Sequence, residues 1–405
     1  MVMIRLPQLD SYESTPWELP QAQRLKQFYQ IVREGKKAAV LLYREADTST
    51  FRYRCYNIMQ ALCESEQWGA VCFFEQEYHT VIELLPQTDM IVMTRVKWTT
   101  TLNWLVEKAK QRMIPVVFDV DDRVFDLDAL NTFANTLAID LEHEYACDFW
   151  FANIARIQQA AALADGYFST NDYLGKKLQE KFNKPYQIIP NSVNREQLAV
   201  SEILSKQKQQ LVNARPFAIG YFSGSPTHIN DFLEIYKDLL VLLNKYPDII
   251  LEVVGFMEFP QEMQSLLQAG RIRFTPLVDF IELQRLIAQV DVNIVPLVNN
   301  SFTNCKSELK YFEAALVDTI TVATPIYSYR NNIKNGENGF LCRPGQWFET
   351  LESIYLERVN RTQICANAKK DVLQRYCGKA FVEQIEHAYN FFEKSKGGCV
   401  NETSC

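Results

Sequence analysis

Three charged residues late in the chain have a spacing that could do chemistry. Lys306, Lys310 and Glu313 fall at i, i+4 and i+7 in the stretch NCKSELKYFEAALVDTITVATP. On a helix they share one face, within about 60° of one another. Leu309, Phe312 and Leu316 form a neighbouring apolar stripe that can face a core. Two cations and a carboxylate at the mouth of a buried strand suit a nucleotide diphosphate and its ribose. The plainer alternative is an amphipathic surface helix whose charges serve only each other.

Three further groups qualify. In Phe118-Asp-Val-Asp-Asp122, directly after an apolar run, three carboxylates stand in four residues. Such a cluster rarely serves packing, because unpaired buried charge is costly. Asp119, Asp121 and Asp122 are candidates to bind a cation, orient a hydroxyl or act as a base. The alternative is an Asx-rich turn with Arg123 as ion-pair partner. Arg52 and Arg54 open a helix-like stretch, where cations oppose the helix dipole. A bound anion would account for them and for Arg95 at a strand end; solvated surface arginines are the alternative. Finally, Gly220-Tyr-Phe-Ser-Gly-Ser-Pro-Thr-His228 joins a strand to a helix. Its small residues Ser223, Gly224 and Ser225 would let backbone N–H groups approach a phosphate, with His228 as a further donor. A tight turn capped by Ser225 or Thr227 is the alternative, since the spacing matches neither Walker A nor GxGxxG.

These residues need strands to hold them. Short apolar runs at 37–42, 70–74, 90–93, 115–118, 166–169 and 187–189 alternate with longer amphipathic segments, and the pattern repeats at 217–222, 249–254, 272–275, 292–296, 319–323 and 339–342. That is the signature of βαβ units and parallel sheets. We therefore expect an α/β chain with two doubly wound sheets in tandem, joined by the polar stretch 195–215. In such sheets ligands bind beyond the carboxyl ends of the strands, where the candidates fall.

Composition narrows the function. The 405 residues suggest two or three domains, and 47% apolar with 22% charged residues is ordinary for a soluble protein. A net charge of −7 argues against a nucleic-acid binder. Ten cysteines without a CxxC pair, and four histidines, argue against a zinc site, so no metal and no resident cofactor are expected. Scattered cysteines read as reduced, hence a cytoplasmic protein. The chain opens without an apolar signal segment and holds no apolar run of about 18 residues, so no transmembrane segment is expected. A hydrolase triad has no support in the order of residues.

The order of motifs resembles the family 4 (group 1) glycosyltransferases. Asn191-Ser-Val-Asn194 is similar to the family's Asn-Gly-Val-Asp turn. The loop after Ile219-Gly220, the strand ending at Gly255, Arg273-Phe-Thr-Pro-Leu-Val278, Ala288-Gln-Val-Asp-Val-Asn-Ile-Val-Pro296, Glu313-Ala-Ala with Thr321-Val-Ala-Thr-Pro325, and Asn335-Gly-Glu-Asn-Gly339 then follow the family's landmarks in sequence. Bacterial enzymes of surface-polysaccharide synthesis, including rhamnosyltransferase-like members, are similar in the Asp-Asp segment and the Lys-Ser-x-x-Lys element.

The resemblance implies a GT-B fold, two Rossmann-like domains facing across a cleft. It divides the chain into an acceptor domain at 1–200 and a nucleotide-sugar domain at 215–377. A helix at 378–395 would return to the first domain, and a disordered tail would follow at 396–405. It implies transfer of a sugar from a nucleotide sugar to a saccharide or lipid-linked acceptor, usually with retention and without a metal. The setting would be cytoplasmic, compatible with peripheral association at the inner face of a membrane.

Glu313 matches the second glutamate of the family's E-x7-E element and would grip ribose. Lys306, Lys310 and the Ser223-Gly224-Ser225 amides would hold the diphosphate, assisted by His228. Asp121 or Asp122 would be catalytic, and Arg52, Arg54 and Arg95 would line the acceptor side. The chain departs from the family where the first glutamate is expected, since Cys305 stands there and Glu308 is out of register. It also carries Tyr221 and Thr227 or His228 in place of a loop arginine and lysine; Lys306 and Lys310 could supply that charge, because leaving-group stabilisation needs preorganised cations rather than one loop. A catalytically inactive binding or scaffold module, and a nucleotide-sugar epimerase on the same fold, remain open alternatives.

Overall fold

The computed structural model describes residues 15–47, 49–211, 215–224 and 229–397. Two six-stranded sheets organise the chain. The first contains β1 (Lys37–Tyr43), β2 (Trp68–Phe74), β3 (Met90–Thr94), β4 (Val116–Val120), β5 (Gly166–Ser169) and β6 (Tyr186–Ile188), in the order β2-β1-β3-β4-β5-β6. The second contains β7 (Ala218–Ser223), β8 (Ile250–Gly255), β9 (Ile272–Thr275), β10 (Val292–Val295), β11 (Ile320–Ala323) and β12 (Phe340–Leu341), in the order β12-β11-β10-β7-β8-β9. Every ladder is parallel. Helices cover both faces, which is why the strands are near-continuous apolar runs and not alternating ones. The fold is the expected two-domain α/β GT-B architecture.

Strand order reverses between β1 and β3 in one sheet and between β7 and β10 in the other. At such a switch the flanking loops leave in opposite directions and open a crevice at the carboxyl edge. The loops after β1 and β3 begin at Arg44 and Arg95; the loop after β7 begins at Gly224.

Three stretches differ from the sequence reading. The polar stretch from 195 is a helix, Arg195–Leu211, rather than an open linker. Its buried side chains recur at helical spacing but are mostly polar: Gln197, Val200, Ser201, Leu204, Ser205 and Lys208. Lys208 is anchored by three oxygens, those of Val290 (2.7 Å), Val317 (3.2 Å) and the Thr319 hydroxyl (2.7 Å), which fix this helix to the base of the second sheet. A helix at Gln21–Arg33, before β1, was not anticipated. The helix expected to carry Lys306, Lys310 and Glu313 starts only at Leu309 and ends at Ala315.

The last helix, Gly378–Gly397, runs back over the first domain. The Ser65 hydroxyl donates to Glu386 (2.6 Å) and the Trp68 indole to Asn390 (2.9 Å), while Tyr389 stacks on Phe168 at 5.3 Å between centroids. It therefore extends two residues into the expected tail; residues 398–405 lie outside the described residues. Among the described residues no helix is long and apolar enough to cross a membrane.

Candidate active site

The carboxyl edges of the two sheets face each other across a cavity of about 400 Å³. Residues of both domains line it, including Asp121, Asp122 and Asn191 from the first and Ser223, Lys310 and Glu313 from the second.

The β7 turn forms one wall. Ser223 is buried and Gly224 has open space where a Cβ would stand. The turn is held by β8: Gly255 adopts φ +104°, and a Cβ there would lie 1.7 Å from the Ser223 carbonyl oxygen. Only glycine allows this approach. Ser225 and His228 lie outside the described residues.

Lys310 sits on the helix beside the turn. Its backbone oxygen accepts from Asn293 Nδ2 (2.9 Å) and its ammonium stands 5.7 Å from the Tyr221 ring centroid. Among the described residues that ammonium has no hydrogen bond and no ion pair, although it is half-buried. Burial, and the repulsion of Lys306, push its pKa down to about 8 against the pull of Asp231 and Glu313.

Lys306 does not share the helix face proposed for it. It precedes the helix with extended backbone, so its direction is set by the loop. Its ammonium reaches across the cleft to Asp122 Oδ2 (3.0 Å) and lies 4.7 Å over the Phe302 ring. The other oxygen of Asp122, Oδ1, is buried without a partner among the described residues. A buried carboxylate oxygen left without a donor is costly, so this atom is poised to accept one. Asp121 is held differently: Oδ2 accepts from the Thr50 hydroxyl (3.0 Å) and Oδ1 from Arg95 Nη1 (3.2 Å). Arg95 sits at φ +47°, an uncommon conformation for a side-chain-bearing residue.

Glu313 is buried in the cavity wall, not exposed on a surface helix. Its Oε1 accepts from the Tyr53 hydroxyl in a short hydrogen bond, and from Arg52 Nη2 and Gln197 Nε2 at 3.4 Å each. Arg52 thus lines the cavity beside Glu313, in the same space as Asp121 and Asp122. Its guanidinium lies 4.0 Å over the Tyr53 ring and 4.9 Å over Phe280.

Arg54 lines no part of the cavity. It is buried in the first domain, donating to both Asp119 oxygens (2.6 and 3.0 Å), to the Ile189 carbonyl (2.6 Å) and to Asn191 Oδ1 (3.2 Å). The assignment to acceptor contact is corrected. The anion that explains cations at this helix start is the protein's own: Asp119 for Arg54 and Glu313 for Arg52. A π-helical turn at Arg52–Tyr56 sets the pair there, and such turns often mark functional sites.

Cys305 and Glu308 are both turned to structure. The Cys305 thiol contacts the Ser301 carbonyl (3.3 Å) and is pushed up to about 12 by burial. Glu308 accepts from the Tyr376 hydroxyl (2.6 Å), away from the cavity. Several cavity residues escaped the sequence reading. Tyr53 and Asn191 were passed over as helix filler and turn signal. Val254, Leu277, Val278 and Leu283 form an apolar wall that looked like ordinary strand and helix packing. Among the described residues no group of three or more His, Cys, Asp or Glu is arranged to hold a metal ion.

Comparison with known proteins agrees with this fold. Residues 217–355, most of the second domain, match the family profile of Glycosyl transferases group 1. Among solved structures, HepE from Anabaena in complex with UDP is similar at 17% identity and TM-score 0.58, covering 88% of this chain and 100% of that one. A glycosyltransferase from Rickettsia africae is similar at 12% identity and TM-score 0.60, covering 89% and 99%. Sucrose-phosphate synthase from Thermosynechococcus elongatus follows at 13% and 0.56, covering 89% and 100%. By sequence, no curated protein matches the chain.

Proposed function

We propose that the chain transfers a glycosyl group from a nucleoside diphosphate sugar to an acceptor hydroxyl. One observation carries the reading: among the described residues a cation without a hydrogen bond or ion pair, Lys310, and a carboxylate oxygen without a hydrogen-bond donor, Asp122 Oδ1, both belong to one cavity between two switch points. The cation suits a diphosphate and the oxygen suits a hydroxyl. The apolar wall of Val254, Leu277, Val278 and Leu283 accepts the flat face of a base. The donor of first choice is a UDP-sugar, because structures of Anabaena HepE hold UDP and UDP-glucose.

In this reading the bond between the anomeric carbon and the diphosphate oxygen breaks, and the diphosphate keeps the electron pair. Lys310 and the Ser223-Gly224 turn stabilise that charge where it develops. The acceptor oxygen bonds to the anomeric carbon and its proton passes to Asp122, whose charge Lys306 balances. Glu313 grips the ribose hydroxyls in exchange for its bonds to Tyr53 and Arg52. No resident cofactor is needed for these steps. We place the chain in the cytoplasm, in bacterial polysaccharide or glycan synthesis. The free cysteines on which that placement rests are scattered over both domains.

The test is release of nucleoside diphosphate from a panel of nucleotide sugars, with and without a pool of saccharide acceptors. Turnover should fall by about a hundredfold or more in Asp122→Asn while UDP binding persists. Undiminished turnover in that variant would overturn the assignment.

A further inference from the structure

A second concentration of charge lies at the carboxyl edge of the first sheet. Leu42 of β1 stands opposite Met93 of β3, so the chain leaves the two strands side by side, through Arg44 and Arg95. Lys97 follows in the second of these turns. Arg156, on the helix Glu144–Leu163, docks against the same turn: its Nε donates to the Trp98 carbonyl (3.0 Å), and its own carbonyl accepts from Trp98 N (2.8 Å).

Arg95 is committed to Asp121 and Thr50. The other three cations are not neutralised. Among the described residues Arg44 has only its exposed neighbour Glu45 at 3.7 Å. Lys97 and Arg156 have no carboxylate within ion-pair distance among the described residues. The crowding is felt at Lys97, whose ammonium is held below the ordinary lysine value by burial, then by Arg44 and Arg156, with Glu75 opposing. In a chain of net charge −7 such a triplet is not background. It adjoins the cavity through Arg95, which shares Asp121 with the cavity wall.

We infer that this rim anchors the acceptor, which carries a phosphate or carboxylate held by Arg44, Lys97 and Arg156 while its hydroxyl enters the cavity past Asp121. The inference rests on the transferase reading and names the substrate class of its acceptor side. Tyr145 and Phe149 stand on the same helix face as Arg156 and are 76% and 50% exposed, so ring surface continues beyond the cations. A sugar ring or an alkyl chain could lie there, and the charged group could belong to a lipid diphosphate or to an acidic saccharide.

Two pairs of soluble probes separate those sources: citronellyl diphosphate against citronellol, and a uronic-acid disaccharide against its neutral counterpart. Binding to the full chain is measured by calorimetry at low and at about 0.3 M salt. At least one charged probe should bind tenfold tighter than its neutral partner. Salt and the double variant Lys97→Ala/Arg156→Ala should both erase the preference. Lys97→Glu, which removes no backbone contact, should weaken the charged probe by at least tenfold. Preference for the diphosphate identifies a lipid-linked acceptor, and preference for the uronate an acidic saccharide; either supports the inference. It is overturned if neither charged probe is preferred, or if both variants keep the preference. UDP affinity, read on the same samples, should be unchanged in all variants. Absence of UDP binding would instead defeat the transferase reading, so the two failures are distinguishable.

Discussion

On the proposed function, Lys310 should set the pH range over which the cavity holds a diphosphate. Its pKa is pushed down to about 8, first by burial. In the free protein about 90% of the ammonium is charged at pH 7 and about 10% at pH 9. A diphosphate binds the charged form, so its affinity should be level near neutrality and fall toward tenfold per pH unit above about 8, with uptake of a proton on binding. For stability the sign is opposite to that of a paired lysine. The folded value lies below the ordinary 10.5, so the unfolded chain binds more protons between the two. The charge opposes folding at pH 7, and that cost fades as pH rises through about 8 to 10.5.

The assay is calorimetric titration with UDP between pH 7.5 and 9.5 in two buffers of different ionisation enthalpy; the terminal phosphate of UDP is already ionised there. Lys310→Arg should hold its affinity to the top of the range. Lys310→Met should lose about tenfold to hundredfold at pH 7.5, the range of about 1.5–3 kcal/mol for a hydrogen bond to a charged group, and its profile should be flat. An affinity that is flat to pH 9.5 in the unsubstituted protein would refute the reasoning. So would an unchanged alkaline limb in Lys310→Met.

Two substitutions test the supporting structure. Gly255→Ala places a Cβ 1.7 Å from the Ser223 oxygen at φ +104°; we expect a loss of about 3 kcal/mol or more in the second domain and loss of UDP binding, read by chemical denaturation and calorimetry. Arg54→Met strands the buried Asp119 carboxylate and should cost about 3–5 kcal/mol, whereas Arg54→Met/Asp119→Leu should recover most of it. A loss confined to acceptor affinity, with stability intact, would return Arg54 to the acceptor side.

Strands were legible because the interior of each sheet is buried on both faces, which turns most strands into apolar runs bounded by turns. The ligand-bearing ends were legible for the same reason, since polar groups directly after such runs must lie at the carboxyl edge. Partners were not. Nothing local distinguishes Arg54, buried on Asp119, from Arg95, which reaches Asp121 at the rim; both follow from long-range packing across the first sheet. Helix Arg195–Leu211 was missed because its buried stripe is mostly glutamine, serine and lysine, with Lys208 satisfied by groups far away in sequence. The helix starts at Leu309, three residues after Lys306, and that redirects Lys306 from a shared helix face to a bond across the cleft. Glu313 and Lys310 reached one cavity from spacing alone, since both remain on the helix.

The central claim is that this cavity between two domains is a nucleotide-sugar site. Hydrogen–deuterium exchange with UDP, GDP, ADP and dTDP tests it most directly. At least one nucleotide should slow exchange at 277–283 and 306–313 of the second domain together with 119–122 of the first. Protection elsewhere, or none with any of the four, would contradict it.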